Sequence, residues 1–271
     1  MKHLYILKIG GSVATFKDQS EFSVRVDLLR NIALTIKKIQ EKKDFDLIII
    51  HGSGSAGHHL AKKYNLDFGV AGNEERLRAS LLSCVRNQKL NNMIFEIFIS
   101  CGVKLFPVHT ASVIVQKNGK IKCFNVETIK NAFKNGCVPI LYGEMVFDND
   151  LDMSICSGDA ITPFLAKKFG AQKIFFASDI DGIFNQDPHL YEDAKLIENT
   201  TVSEIIINNK IKIGGSHNTD VTGGLFGKIK KLDLSGIKSM ETVEIFNGLD
   251  EKNYLKVFLN IDFPHTIIKI K

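Results

Sequence analysis

The chain has 271 residues, 44% apolar and 24% charged, enough to bury a large core without disulfides or a structural metal. Its formal net charge of +5 suits a small anionic substrate, but the lysines are spread along the chain and form no basic run of the kind that binds nucleic acid. The five cysteines (Cys84, Cys101, Cys123, Cys137 and Cys156) are odd in number and far apart, which reads as reduced thiols in a cytoplasmic protein, and no apolar stretch approaches a membrane span.

The opening residues run directly into a strand pattern, Leu4 to Leu7, with no targeting signal before it. Val24 to Gln40 reads as a helix, with Leu28, Leu29, Ile32, Ile36 and Ile39 at helical spacing. Asp46 to Ile50 is a continuous apolar run, the mark of a strand covered on both faces. A long helix is expected over Glu74 to Ser100, and Leu105 to Val108 resumes the sheet. Ser112 to Phe124 alternates around Asn118-Gly119, a hairpin turn that needs positive φ at both positions, and reads as a lid or flap. Val126 to Lys134 is a predicted helix, Val138 to Tyr142 a strand, and a second hairpin turns across Asp148-Asn-Asp150. A helix should open at Ser157, a strand should cover Lys173 to Ser178, another helix should follow Gly224, and strands should cover Val243 to Phe246 and Thr266 to Ile270. Short β-branched runs alternating with longer amphipathic ones point to α/β architecture with helices on a mainly parallel sheet. With no repeat or linker, the chain reads as one domain, 1–271, with lobes of about 1–150 and 151–271.

Two glycine-rich turns follow the first two strands, Lys8-Ile-Gly-Gly-Ser12 and His51-Gly-Ser-Gly-Ser-Ala-Gly-His58. Glycines let backbone N–H groups converge and the following helix adds its positive end, so each turn can hold a phosphate; a turn that is merely tight has the same composition. The second turn also matches Gly-x-Gly-x-x-Gly. A dinucleotide site would need an acidic residue about 20 positions on at the end of a second strand. There, Asn73-Glu-Glu-Arg-Leu-Arg78 reads as a helix start instead. Walker A and protein-kinase patterns are missing.

Phosphoryl transfer between two anions is opposed by charge, since unit charges about 4 Å apart repel by about 4 kcal/mol at an effective dielectric of about 20. Lys8 precedes the first glycine pair, Lys17 follows it, and Lys228 closes Thr222-Gly-Gly-Leu-Phe-Gly-Lys228, a turn containing Gly223 and Gly224. Each alone reads as a solvated surface group, but all three stand beside glycine turns. In Ser157-Gly158-Asp159 the aspartate is either a helix N-cap or a carboxylate that orients Lys8 and Lys17. Asp179-Ile-Asp-Gly-Ile-Phe-Asn-Gln-Asp187 ends a strand, where open α/β sheets bind ligands, and suits a nucleotide loop or an ordinary acidic turn. His58 projects beside whatever its turn binds. A phosphate acceptor is already a nucleophile and needs a hydrogen-bond donor rather than a base, a role His58 fits unless it is only structural.

These motifs, with Val138-Pro-Ile-Leu-Tyr-Gly143, Asp187-Pro188 and Asp220-Val-Thr-Gly-Gly224, run in an order that resembles the amino acid kinase superfamily, and within it the isopentenyl phosphate kinases, over essentially the whole chain. The resemblance implies a three-layer α/β/α sandwich, usually a homodimer, that uses ATP and Mg2+ to phosphorylate isopentenyl phosphate in the cytoplasm. It implies no nucleic-acid or membrane partner. Lys8, Lys17 and Lys228 would contact the ATP phosphates, Gly10, Gly11 and Ser12 would donate backbone N–H groups, and Asp159 would order the lysines. Asp179, Asp181, Gly182, Phe184, Asp187, Gly223 and Gly224 would lie near the nucleotide. Gly52, Ser53, Gly54, His58, Ser157 and Gly158 would hold the acceptor, with no residue assigned directly to metal. Fosfomycin kinases share the histidine, whereas kinases of carboxylate acceptors lack it. Ser53, Ala56 and Ala160 depart from the usual glycine, phenylalanine and aspartate, so another phosphate or phosphonate acceptor remains an alternative, and after it a carboxylate acceptor of the amino acid kind. An isopentenyl tail would need apolar lining, for which Leu81, Leu82 and Val85 are the candidates unless they pack in the core.

Overall fold

The computed structural model describes residues 2–16, 23–186, 188, 190–207 and 239–270. The first half of the chain builds β1 (His3–Ile9), α1 (Gly11–Ala14), α2 (Val26–Lys42), β2 (Phe45–His51), α3 (Gly54–Tyr64), α4 (Glu74–Ser100), β3 (Leu105–Pro107) and α5 (Thr110–Val113). Then come β4 (Ile114–Lys117), β5 (Lys120–Phe124), α6 (Glu127–Lys134), β6 (Val138–Tyr142), β7 (Glu144–Asp148) and β8 (Asp152–Cys156). The second half adds α7 (Gly158–Phe169), β9 (Lys173–Ser178), β10 (Asn199–Thr201), α8 (Val202–Ile207), β11 (Thr242–Asn247), α9 (Lys252–Leu259) and β12 (Thr266–Lys269). The sequence reading missed α9, and the helix expected after Gly224 lies outside the described residues.

The main sheet has eight strands in the order β10-β12-β11-β9-β1-β2-β6-β3, parallel except where β11 meets β12. From β1 the chain winds outward through β2 and β6; from β9 it winds the other way through β11, so the order reverses between β1 and β9. Open α/β sheets bind ligands beyond the carboxyl ends of their strands at such a reversal.

Strand parity decides which layer each side chain enters. Tyr5, Leu7 and Ile9 of β1 join a core with Leu29, Ile32 and Ile36 of α2, Leu90, Ile94 and Phe98 of α4, and Val257 and Phe258 of α9. Leu4 and Ile6 enter the opposite core with Ile129 of α6 and Ile161 and Leu165 of α7. Helices therefore cover both faces, giving the expected three layers. Among the described residues no helix is long and apolar enough to cross a membrane.

The long helix α4 starts where the Asn73 side chain accepts the Arg76 N–H at 2.9 Å, with Glu74 and Glu75 in the first turn where the helix dipole favours them. The Asn118-Gly119 hairpin forms as its composition demands, with φ of 48° and 72°. It is not a loose flap. Its strands belong to a second sheet, β5-β4-β7-β8, and the Asp148 carboxylate accepts from the N–H groups of Asn118 (2.9 Å), Gly119 (2.7 Å) and Asp150 (2.9 Å) and from the Ser154 hydroxyl (2.7 Å). Burial alone would raise its pKa, but these donors outweigh burial and hold it down at about 2. One carboxylate thus ties both hairpin turns together.

Candidate active site

Sheet register puts four strand ends side by side, since Ile9 pairs with both His51 and Ala177, and His51 pairs with Tyr142. The two glycine turns therefore leave the sheet as neighbours, and they touch backbone to backbone. A Cβ on Gly11 would lie 2.5 Å from Gly54 Cα, and one on Gly52 would lie 2.8 Å from Gly11 N. Gly54 adopts φ of 51°, where its own Cβ would clash with Thr15 Oγ1. Thr15 cross-links the turns, its hydroxyl donating to Gly11 O at 2.9 Å and accepting the Ser55 N–H at 3.0 Å.

The amides divide into two sets. Gly10 N–H donates to Ala177 O and Gly52 N–H to Ile9 O, at 2.9 and 3.0 Å. Both amides are therefore turned into the sheet. Gly11 and Ser12 open α1, so their N–H groups have no acceptor within the helix.

Lys8 shares the parity of Leu4 and Ile6 and so reaches toward α7, where its Nζ lies 2.9 Å from Asp159 Oδ1. Gly158 packs against the same strands, where a Cβ would press on Ile50 Cγ2 at 3.2 Å and meet Lys8 Cε in ordinary contact at 3.7 Å. Ser157, not Asp159, caps the helix, its Oγ accepting the Ala160 N–H at 3.2 Å. The two readings of Asp159 are thereby separated: its carboxylate serves Lys8.

On the second turn Ser53 donates its hydroxyl to Gly143 O at 3.1 Å, and His58 is exposed on α3. The strand end at Ser178 leads to Asp179 and Asp181, and Asn247 Nδ2 donates to Asp181 Oδ1 at 3.1 Å. Gly182 has no space for a Cβ beside Thr266, whose hydroxyl accepts the Ile183 N–H at 2.8 Å. Phe184 is half-buried in a bridge to Leu196. Lys17, Asp187, Gly223, Gly224 and Lys228 lie outside the described residues.

Behind the second turn stands a buried polar group that motif reading missed. His51 is fully buried, its ring stacked on Tyr142 at 5.3 Å, with Nδ1 3.1 Å from Gly52 O and Nε2 3.2 Å from Asn91 Oδ1. Burial lowers its pKa to about 4, so the ring is neutral. One turn earlier on α4, Asn87 Nδ2 donates to Glu144 Oε1 at 3.1 Å, and burial raises the Glu144 pKa. Asn87 and Asn91 occupy inward positions of a helix whose Leu81, Leu82 and Val85 are exposed by 52%, 44% and 61%. Those three residues are therefore not packed in the core, because the helix turns its small and polar stripe inward. Polar residues at i and i+4 amid core positions were the available signal.

The sequence profile of the amino acid kinase family matches residues 3–247. The isopentenyl phosphate kinase of Methanothermobacter thermautotrophicus is 30% identical over 271 residues, spanning 98% of each chain. That of Methanocaldococcus jannaschii is 31% identical over 268 residues, covering 94% of this chain and 95% of the other. A solved isopentenyl phosphate kinase structure superposes with a TM-score of 0.82 at 28% identity, covering 98% of this chain and all of that one. With its glycine turns, its buried Lys8–Asp159 pair and this match along its length, the chain belongs to the amino acid kinase family and is a kinase.

Proposed function

We propose that the protein transfers the γ-phosphoryl group of ATP to the phosphate of isopentenyl phosphate, giving isopentenyl diphosphate and ADP. The observation that carries this reading is the juxtaposition of two glycine turns around the Lys8–Asp159 pair, with His58 exposed on the second turn. In this reading Lys8 and the N–H groups of Gly11 and Ser12 bind the ATP phosphates, and Asp159 holds Lys8 in place. Lys17 and Lys228 complete the positive surround, and Asp179, Asp181, Gly182, Phe184, Asp187, Gly223 and Gly224 border the nucleotide. An oxygen of the acceptor phosphate attacks the γ-phosphorus, and the bond to the ADP oxygen breaks in line. The acceptor needs no base, so His58 donates a hydrogen bond to it, beside Ser53, Gly54, Ser157 and Gly158.

A glycine cradle that a Cβ would fill suits ATP phosphates. Among the described residues no group of three His, Cys, Asp or Glu side chains could hold a metal ion. Mg2+ would therefore enter on the nucleotide phosphates, where it neutralises their charge. The family relationship also carries the expectation of a homodimer, which sedimentation velocity tests.

A second reading, a kinase of another small phosphate or of a phosphonate such as fosfomycin, is favoured by the polar stripe of α4 and the exposure of Leu81, Leu82 and Val85. Coupled ADP-release assays on isopentenyl phosphate, dimethylallyl phosphate and fosfomycin separate the two. Preferred turnover of fosfomycin replaces the first reading, and turnover of none removes both isopentenyl phosphate and fosfomycin as acceptors.

A further inference from the structure

The buried imidazole of His51 is built into the glycine turn yet has no role in binding or transfer as described so far. We propose that His51, held from behind by Asn91, is the positioning residue that aims the Ser53 N–H at the acceptor anion, an inference that rests on reading the His51–His58 turn as the acceptor site.

The argument starts from the peptide bond between Gly52 and Ser53. No peptide bond among the described residues is cis, and in a trans peptide the C=O and the N–H point in opposite directions. His51 Nδ1 lies 3.1 Å from Gly52 O. A carbonyl only accepts, so Nδ1 carries the proton and Nε2 is the acceptor of the neutral ring. Drawing the Gly52 carbonyl toward the imidazole turns the Ser53 N–H to the other side of the peptide plane, away from the buried ring. Among the described residues that N–H meets no acceptor. It stands at the N-terminus of α3, eleven residues long, where an anion is favoured.

The Gly52 carbonyl sets the tautomer, and Asn91 can meet it. Its Nδ2 is buried without a partner while its Oδ1 lies 3.2 Å from Nε2. Rotating the amide by half a turn places an N–H donor on Nε2, which suits the Nδ1-protonated ring. Tyr142 stacks on the ring within 13° of parallel and prevents it from swinging. The remaining neighbours hold the turn from the side: Gly143 N–H donates to His51 O at 3.1 Å, and the Ser53 hydroxyl closes back on Gly143 O. Glycine at position 52 leaves the peptide free to rotate, so a side-chain donor is needed to choose its orientation.

Two substitutions isolate the Nδ1 contact, because an asparagine amide can stand near Nδ1 and a glutamine amide near Nε2. With isopentenyl phosphate, His51→Gln is expected to raise the acceptor KM about tenfold, the worth of one hydrogen bond, with the ATP KM unchanged. His51→Asn should stay within about threefold of wild type, since it keeps that bond. Equal acceptor KM values for the two variants, or an ATP KM that rises in parallel, would overturn the proposal. A second arm needs no turnover and so survives failure of the substrate reading. In 15N-labelled protein the Ser53 amide should shift on titration with inorganic phosphate and require about tenfold more phosphate in His51→Gln. Long-range 15N–1H spectra should show His51 protonated at Nδ1. An unshifted Ser53 amide, or an Nε2-protonated ring, overturns the proposal whatever the enzyme phosphorylates.

Discussion

Lys8 Nζ stands 2.9 Å from Asp159 Oδ1, with 8% and 13% of the two side chains exposed, where the carboxyl end of β1 meets the N-terminus of α7. The pair joins the two halves of the chain at the place where the sheet reverses its winding. Removing one member leaves a charge in a shielded site, which is costlier than removing both.

Lys8→Met is expected to lower kcat by roughly 10²–10³, the usual cost of deleting a donor to developing charge. Asp159→Asn should lower kcat as well, and should destabilise the fold by about 3 kcal/mol because the shielded Lys8 charge loses the carboxylate it faces at 2.9 Å. The double variant should be more stable than the sum of the singles requires, as chemical denaturation of all four proteins will report. Strict additivity would mean that the two groups do not interact.

His58→Ala should reduce kcat by roughly 10²–10³ on any phosphate or phosphonate acceptor, with thermal stability close to wild type because the residue is exposed. Unchanged turnover of an amino-acid carboxylate would reverse the assignment and make the enzyme a carboxylate kinase.

Gly11→Ala places a methyl group 2.5 Å from Gly54 Cα and closer still to Gly54 N. Neither backbone segment can move without parting the two turns. A loss of about 1–3 kcal/mol in stability is expected. KM for ATP and for the acceptor should rise together, since the turns separate as a unit; a change in one alone would show that they bind independently.

Asp148 supplies a pH-dependent component of stability. Its folded pKa of about 2 lies below the ordinary 3.8, so its contribution is present above pH 3.8 and disappears as pH falls toward 2. Asp148→Asn should lower the melting temperature at pH 7 and flatten its fall across that acid window. An unchanged slope between pH 4 and 2 would show that the carboxylate is not held by the two turns.

Much of this was legible from local rules. The Asn73 cap and apolar spacing place α4 at Glu74–Ser100 without tertiary information, and Asn118-Gly119 dictates its own turn. The glycine turns are readable because a missing Cβ is a local property. The surroundings of the hairpin and of the exposed face of α4 were not legible, for one shared reason. Periodicity shows that a helix or strand has two faces, but not which neighbour covers each. The parallel pairing of β4 with β7 converts an apparent flap into part of a sheet, and the packing of α4 turns Asn87 and Asn91 inward.

By itself, the sequence determined the glycine turns, the two-faced alternation of the strands and the family to which the chain belongs. Only the tertiary structure decided that Lys8 meets Asp159 across some 150 residues, that the Gly10 N–H bonds Ala177 O, and that His51 lies between Asn91 and Tyr142. The physical reason is one of range. Backbone conformation and parity are set by neighbours in the chain, whereas a buried charge or an imidazole tautomer takes its role from partners supplied by distant elements, and those contacts exist only once the sheet has closed its register.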